Sequence, residues 1–111
     1  PLYFIRNSEM DEVKGNKFPI GGGIFKNQTN FTTHILPMKK GDSIYFSSDG
    51  FPDQFGGPEG RKMGPKRVRE MIQQVYTGPM KEAMNVFDRE WESWRGEHKQ
   101  TDDVLLIGIK F

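Results

Sequence analysis

The chain opens on Leu2-Tyr3-Phe4-Ile5-Arg6, a run dominated by aromatic and other large apolar side chains that suit a pleated, half-buried surface. Asn7-Ser8-Glu9 supplies turn chemistry and Met10 to Val13 a second short stretch, so the pattern predicts a β-hairpin that closes at Gly15-Asn16. From Gly21 to Asn30 the chain is rich in Gly, Asn and polar residues and reads as a loop or irregular edge. Phe31-Thr32-Thr33-His34-Ile35-Leu36 then alternates as a strand does, Lys39-Lys40-Gly41-Asp42 turns, and Ser43 to Ser47 returns as its antiparallel partner.

Further along, the period changes. Val68, Met71, Ile72, Val75 and Tyr76 fall at i, i+3, i+4, i+7 and i+8, one face of a helix begun near Gly64-Pro65 and ended by Gly78-Pro79. Met80, Ala83, Met84, Phe87, Trp91 and Trp94 repeat the stripe, so a second amphipathic helix ending at Gly96 lays a wide apolar face on something flat. On that stripe Trp91 and Trp94 read as core or sheet packing ahead of a binding surface. Val104 to Phe111 is almost continuously apolar, the pattern of a strand in the middle of a sheet. Strands, two helices and a strand, with the helices segregated from an antiparallel sheet, make an α+β layer fold.

At 111 residues the chain is one domain's worth at most, with room for a modest core. It begins at Pro1 and not Met, which reads as a processed chain or an excised fragment. Lys plus Arg number 16 against 15 Asp plus Glu, a balance that gives no electrostatic reason to expect nucleic acid or an anionic membrane as partner. The absence of cysteine excludes disulfides and Cys-based metal or catalytic sites. Apolar runs fall far short of the ~20 residues that span a bilayer, and no signal-peptide pattern opens the chain. The expected setting is the cytoplasm, with any membrane sensor upstream in the parent protein. With 13 Gly and 7 Pro, the composition stays below the level that signals disorder.

Candidate chemistry concentrates at two strand ends. The apolar strand Ser43 to Ser47 runs into Ser48-Asp49-Gly50-Phe51-Pro52-Asp53, and a second acidic pair, Asp102-Asp103, opens the strand from Val104. Carboxylates on rigid backbone at two such ends, once brought together, suit a hard divalent cation with oxygen ligands. Asp49 is equally at home in an ordinary Asp-Gly turn, and Asp102-Asp103 in a solvated strand start. The chemistry such carboxylates serve is in-line hydrolysis of a phosphate ester, in which two Mg²⁺ or Mn²⁺ ions about 4 Å apart activate a bridging water. Ser47 and Ser48 lack the G-x-S-x-G context or an evident base, and read as strand-end residues. Gly21-Gly22-Gly23 lacks the Lys-Ser/Thr and helix of a phosphate-binding loop, and His34 and His98 form no metal-spaced pair. Asp53 supports either a further ion or the loop itself. Arg61, Lys62, Lys66, Arg67 and Arg69 follow the acidic turn as the solvated face and first turn of a helix, or as a surface that steers a phosphorylated protein toward the site.

Taken in order, Gly41-Asp42, Ser48-Asp49-Gly50 and Gln100-Thr101-Asp102-Asp103-Val104 resemble the metal-dependent protein phosphatase (PPM) superfamily, and within it the SpoIIE-like serine phosphatases. Pro1-Leu2-Tyr3 is similar to that family's mid-domain strand, Pro19-Ile20-Gly21-Gly22 to a turn, and Glu92-Ser93-Trp94-Arg95-Gly96 to the linker before the last strand. The similarity covers essentially the whole chain. No single motif is specific; their order and spacing together are. The family's earlier acidic residues, in an Asp-Gly-containing hairpin of the N-terminal half, have no counterpart here.

The resemblance implies an antiparallel β-sandwich with flanking helices, of which this chain is the C-terminal part. It also implies metal ligation by Asp49 and by Asp102, with Asp103 a supporting or alternative ligand and Gly50 and Asp53 in the metal-site loop. The implied cofactors are Mn²⁺ or Mg²⁺, and the implied substrate is a phosphoserine or phosphothreonine on a regulatory protein such as an anti-sigma-factor antagonist. Arg61, Lys62 and Lys66 are the candidate steering residues. A noncatalytic interaction module that keeps the fold without a complete metal centre is the competing expectation, and an unrelated α+β binding domain with solvated acidic turns is a third. With only two acidic strand ends present, the isolated chain is expected to be inactive, and an uncovered sheet edge and apolar face favour a homodimer.

Overall fold

The computed structural model describes residues 1–16 and 30–111, so the glycine run at 21–23 and the Pro19 to Gly22 turn lie outside the described residues. The described elements are β1 Leu2–Arg6, β2 Glu9–Val13, β3 Ser43–Ser47, β4 Phe55–Gly56, β5 Arg61–Lys62, α1 Gly64–Val75, α2 Met80–Arg95 and β6 Leu106–Lys110. β1 and β2 form the expected hairpin, with Arg6 opposite Glu9 and Leu2 opposite Val13. Its two-residue turn puts Asn7 and Ser8 at φ 51° and 65°, the left-handed pair whose twist matches that of the flanking strands.

Strand order is β2-β1-β3-β6, antiparallel throughout. This corrects one expectation, since Phe31 to Leu36 is not the partner of β3. Both edges of β3 are taken, by β1 and by β6, and Ile35 is left 83% exposed. The alternation of that segment is a surface pattern, and His34 sits in it, exposed and outside any strand. A second correction concerns β6, which stands at an edge of the described sheet and not in its middle. Leu105, Ile109 and Phe111, at alternate positions along and beside this strand, are exposed.

One face of the sheet carries the core. Tyr3 lies opposite Tyr45 on the neighbouring strand, and with Ile5 they meet Val68, Met71, Ile72 and Val75 of α1 and Ala83, Phe87 and Trp91 of α2. Phe87 is central, its ring 6.0 Å from that of Tyr45 and 6.3 Å from that of Phe51. Each large side chain buried in this way contributes about 1.5–3 kcal/mol. Burial also pushes the Tyr3 and Tyr45 phenols above their ordinary pKa, which keeps both neutral. Met84, at the margin of the α2 stripe, stays exposed beside an apolar groove of about 570 Å³ between α2 and β6. No helix among the described residues is long and apolar enough to cross a membrane.

The opposite face is also apolar in register, with Phe4 opposite Ile44 and Ile44 opposite Ile109. At one end of it Arg6 stacks over the Phe4 ring at 4.9 Å and binds Asp42 through Nε, 3.1 Å from each carboxylate oxygen, and Nη2 at 2.6 Å. Asp42 is 3% exposed and also accepts the Lys39 N–H at 2.7 Å. The Arg6 hydrogen bonds hold its carboxyl below the usual carboxylate range. Arg6 further donates to the Pro37 carbonyl at 2.7 Å, so this pair pins the chain entering β3 to the end of β1.

Candidate functional site

β3 ends at Ser47, and the backbone turns at once, with Asp53 N–H bonded to the Asp49 carbonyl at 2.9 Å. The approach to β6 is stitched to this turn by Ser48. Its N–H donates to the Leu105 carbonyl at 2.8 Å, its hydroxyl donates to the Asp103 carbonyl at 2.9 Å, and the same oxygen accepts the Leu105 N–H at 2.9 Å. Next to it, Gly50 is buried against the Asp102-Asp103 peptide. A Cβ at residue 50 would meet the Asp103 carbonyl oxygen, and would stand 2.9 Å from the Asp103 carbonyl carbon and 3.3 Å from that of Asp102. Only a residue without a side chain permits this approach.

The two acidic strand ends therefore meet at one end of the sheet. Asp49, Asp102 and Asp103 are all exposed, and none of the three makes an ion pair among the described residues. One oxygen of Asp102 accepts the Asp103 N–H at 2.8 Å. Solvent-facing carboxylate oxygens on braced backbone, without a competing cation, have the donor chemistry a hard divalent ion takes. Among the described residues, however, no three His, Asp or Glu side chains converge as a metal-holding group. The residues present supply exposed carboxylate oxygens of the kind such an ion takes, fewer than three side chains converging among the described residues.

Asp53 points a different way, its carboxylate 3.7 Å from the Lys62 ammonium. The basic residues are placed by a feature that periodicity does not reveal, the β4–β5 hairpin, whose strands are two residues each. Arg61 and Lys62 lie on β5 and not on the helix, while Lys66 and Arg67 fall in the first turn of α1 and Arg69 in the next. Arg61 pairs with Glu59 at 2.9 Å, Arg69 lies 3.8 Å from Glu12, and the Arg67 guanidinium stacks on Trp94 at 4.2 Å. Lys66 is exposed and makes no ion pair among the described residues.

The family model for Stage II sporulation protein E (SpoIIE) matches residues 1–111. The chain belongs to the SpoIIE family. It is also similar to the solved SiaA-PP2C domain of Pseudomonas aeruginosa, with a TM-score of 0.85 and 30% sequence identity over 99% of this chain and 42% of that one. The chain thus spans less than half the length of that structure. Comparison with curated proteins gives no match. The chain accordingly has the mixed α+β architecture of a portion of a PPM-type (PP2C) phosphatase domain, a class that is metal-dependent in general.

Three residues of this SpoIIE chain gain roles that sequence reasoning did not assign. Ser48 is more than a strand-end residue, because its hydroxyl bridges the two acidic segments. Asp42 is the buried partner of Arg6. Gln54, beside Asp53, is 1% exposed, and a lone polar residue in a turn carries no periodic signal that would mark it as buried.

Proposed function

We propose that this chain contributes Asp49 and Asp102, with Asp103 as supporting or alternative ligand, to the metal centre of a Mn²⁺- or Mg²⁺-dependent protein serine/threonine phosphatase. The observation that carries the proposal is the packing of Gly50 on the Asp102-Asp103 peptide, which unites two acidic strand ends that lie far apart in sequence. Bound ions would supply an activated water and neutralise charge on the phosphoryl oxygens during in-line displacement. The chain's own part is to hold anionic oxygens on braced backbone. Ser48 serves in this reading as a brace, its hydroxyl engaged with Asp103 and Leu105 and no base among its hydrogen-bond partners. Gly50 and Asp53 shape the loop, the latter through its N–H to the Asp49 carbonyl.

The substrate class is a phosphoserine or phosphothreonine on a regulatory protein, such as an anti-sigma-factor antagonist in bacterial cytoplasmic signalling. Lys66 offers the steering charge, and Arg61 and Lys62 a smaller share because each is partly neutralised by a neighbouring carboxylate. The test is Asp49→Asn in the full-length protein. Mn²⁺-dependent hydrolysis of a phosphoserine substrate should be lost while circular dichroism and Tm are retained; near wild-type turnover at saturating Mn²⁺ would remove Asp49 from the ligand set.

One observation favours a second reading, a noncatalytic interaction module. Among the described residues the acidic side chains stop short of a three-ligand group. Calorimetric titration of the full-length protein with Mn²⁺ separates the two, since a module without a complete centre takes up no stoichiometric ion.

A further inference from the structure

Residues 48–54 and 99–105 are tied to each other at two places. Ser48 makes one tie, to Asp103 and Leu105. Gln54 makes the other, its Nε2 donating to the Lys99 carbonyl at 2.9 Å and to the Phe55 carbonyl at 2.9 Å. Since both partners are carbonyl oxygens, the nitrogen end of the amide is the end that faces them. The Gln54 backbone carbonyl in turn accepts the Trp94 indole N–H at 2.9 Å and the Met63 N–H at 2.9 Å. Residue 54 thereby joins the acidic turn, the end of α2, the start of α1 and the loop that carries Asp102.

Besides these ties, that loop is placed by Gly50, packed on the Asp102-Asp103 peptide, and by Gln100, whose Nε2 donates to the Asp102 carbonyl at 3.0 Å. Residues 99 to 103 are exposed and belong to no helix or strand, so the position of Asp102 depends on these point contacts, of which the Lys99 anchor is the one at the entry to the segment. We propose that Gln54 is a positioning residue for the metal ligands, its buried amide setting how far the Asp102 segment stands from Asp49. This rests on the metal-centre reading above. Ligand geometry in such centres tolerates displacements of only about 0.5 Å. A side chain of similar length without donors, as in Gln54→Met, frees the Lys99 carbonyl while leaving the apolar core under α1 and α2 untouched. The Gln54 amide holds backbone three residues from Asp102 and not the carboxylate itself, so its loss weakens metal affinity by less than the ~10- to 100-fold typical of a hydrogen bond made directly to a ligand.

The experiment is Mn²⁺ titration of the full-length protein by calorimetry, with the Mn²⁺ dependence of phosphatase activity beside it. Gln54→Met should raise the Mn²⁺ Kd severalfold, with kcat largely restored at high Mn²⁺. Val68→Ala, a core substitution in α1 that lowers Tm without touching this network, should leave the Kd unchanged. An unchanged Kd in Gln54→Met, where Asp49→Asn abolishes binding, overturns the inference and spares the metal centre. Equal Mn²⁺ binding by wild type and Asp49→Asn overturns the metal-centre reading, and the inference with it. Should Gln54→Met not fold, Trp94→Phe removes the indole donor to the Gln54 carbonyl together with part of the ring on which Arg67 stacks, and Arg67→Met removes the stacking alone. An Mn²⁺ affinity weakened in Trp94→Phe but not in Arg67→Met supports the role, and an affinity unchanged in Trp94→Phe, or equally weakened in both, overturns it.

Discussion

Gly50 lies with its backbone against the carbonyl of Asp103, so close that no Cβ fits between them. The contact joins the turn after β3 to the segment before β6 across 53 positions of sequence, and Ser48 locks it with a hydroxyl that donates to Asp103 and accepts from Leu105. Catalytic geometry of the kind proposed depends on this closeness, because both carboxylate-bearing segments inherit their positions from it.

Gly50→Ala should therefore damage both stability and metal binding. The added methyl meets backbone, which yields less readily than a side-chain tip, and such overpacking costs about 1–3 kcal/mol. The urea midpoint of the full-length protein should fall and its Mn²⁺ Kd rise. A variant with both values at wild-type level would show that the two segments separate without consequence.

Trp91→Ala tests the packing of α2. The ring is 7% exposed in the core beneath the sheet, and truncation should destabilise the domain by about 3–5 kcal/mol. An unchanged unfolding midpoint would assign this tryptophan to a partner-binding surface instead.

The Arg6–Asp42 pair predicts a limb of acid denaturation. With its pKa lowered in the folded state, Asp42 contributes stability that is present above the ordinary carboxylate value of about 3.9 and is lost as pH falls through the lower folded value. Protonation below that point favours the unfolded chain. Tm measured from pH 6 down to pH 2 should decline most steeply below about pH 4. In Arg6→Met the Tm should be lower at neutral pH and this dependence weaker, since the guanidinium that holds the proton off is gone. Parallel curves for the two proteins would assign the acid sensitivity elsewhere.

The 111-residue chain alone should show no phosphatase turnover and only weak Mn²⁺ binding, because its two acidic strand ends do not bring three acidic side chains together among the described residues. It should also self-associate, through the β6 edge and the exposed Leu105, Ile109 and Phe111. Turnover assays and light scattering on the purified chain decide both points. Robust metal-dependent activity, or a strictly monomeric species at high concentration, is the contrary result.

Local chemistry alone settled the elements whose cause is local. The β1–β2 turn follows from Asn7-Ser8, and α1 from a 3.6-residue stripe with Pro65 at its start. The extent of α2 follows from the stripe between Pro79 and Gly96, and the order of the acidic motifs was enough to point to the SpoIIE family. Tertiary structure decided everything that depends on which strand lies beside which. The alternation of Phe31 to Leu36 matches that of a strand, but β1 and β6 occupy both edges of β3, and a backbone edge accepts one neighbour. The apolar run of β6 suits a central strand, yet its place at an edge is set by pairing partners that hydropathy does not encode. Likewise Asp49 and Asp102 are visible as strand-end carboxylates in the sequence. That their segments touch, through Gly50 and Ser48 and with Gln54 buried as a second tie, arises from backbone contacts between residues about 50 positions apart, and no local pattern carries that information.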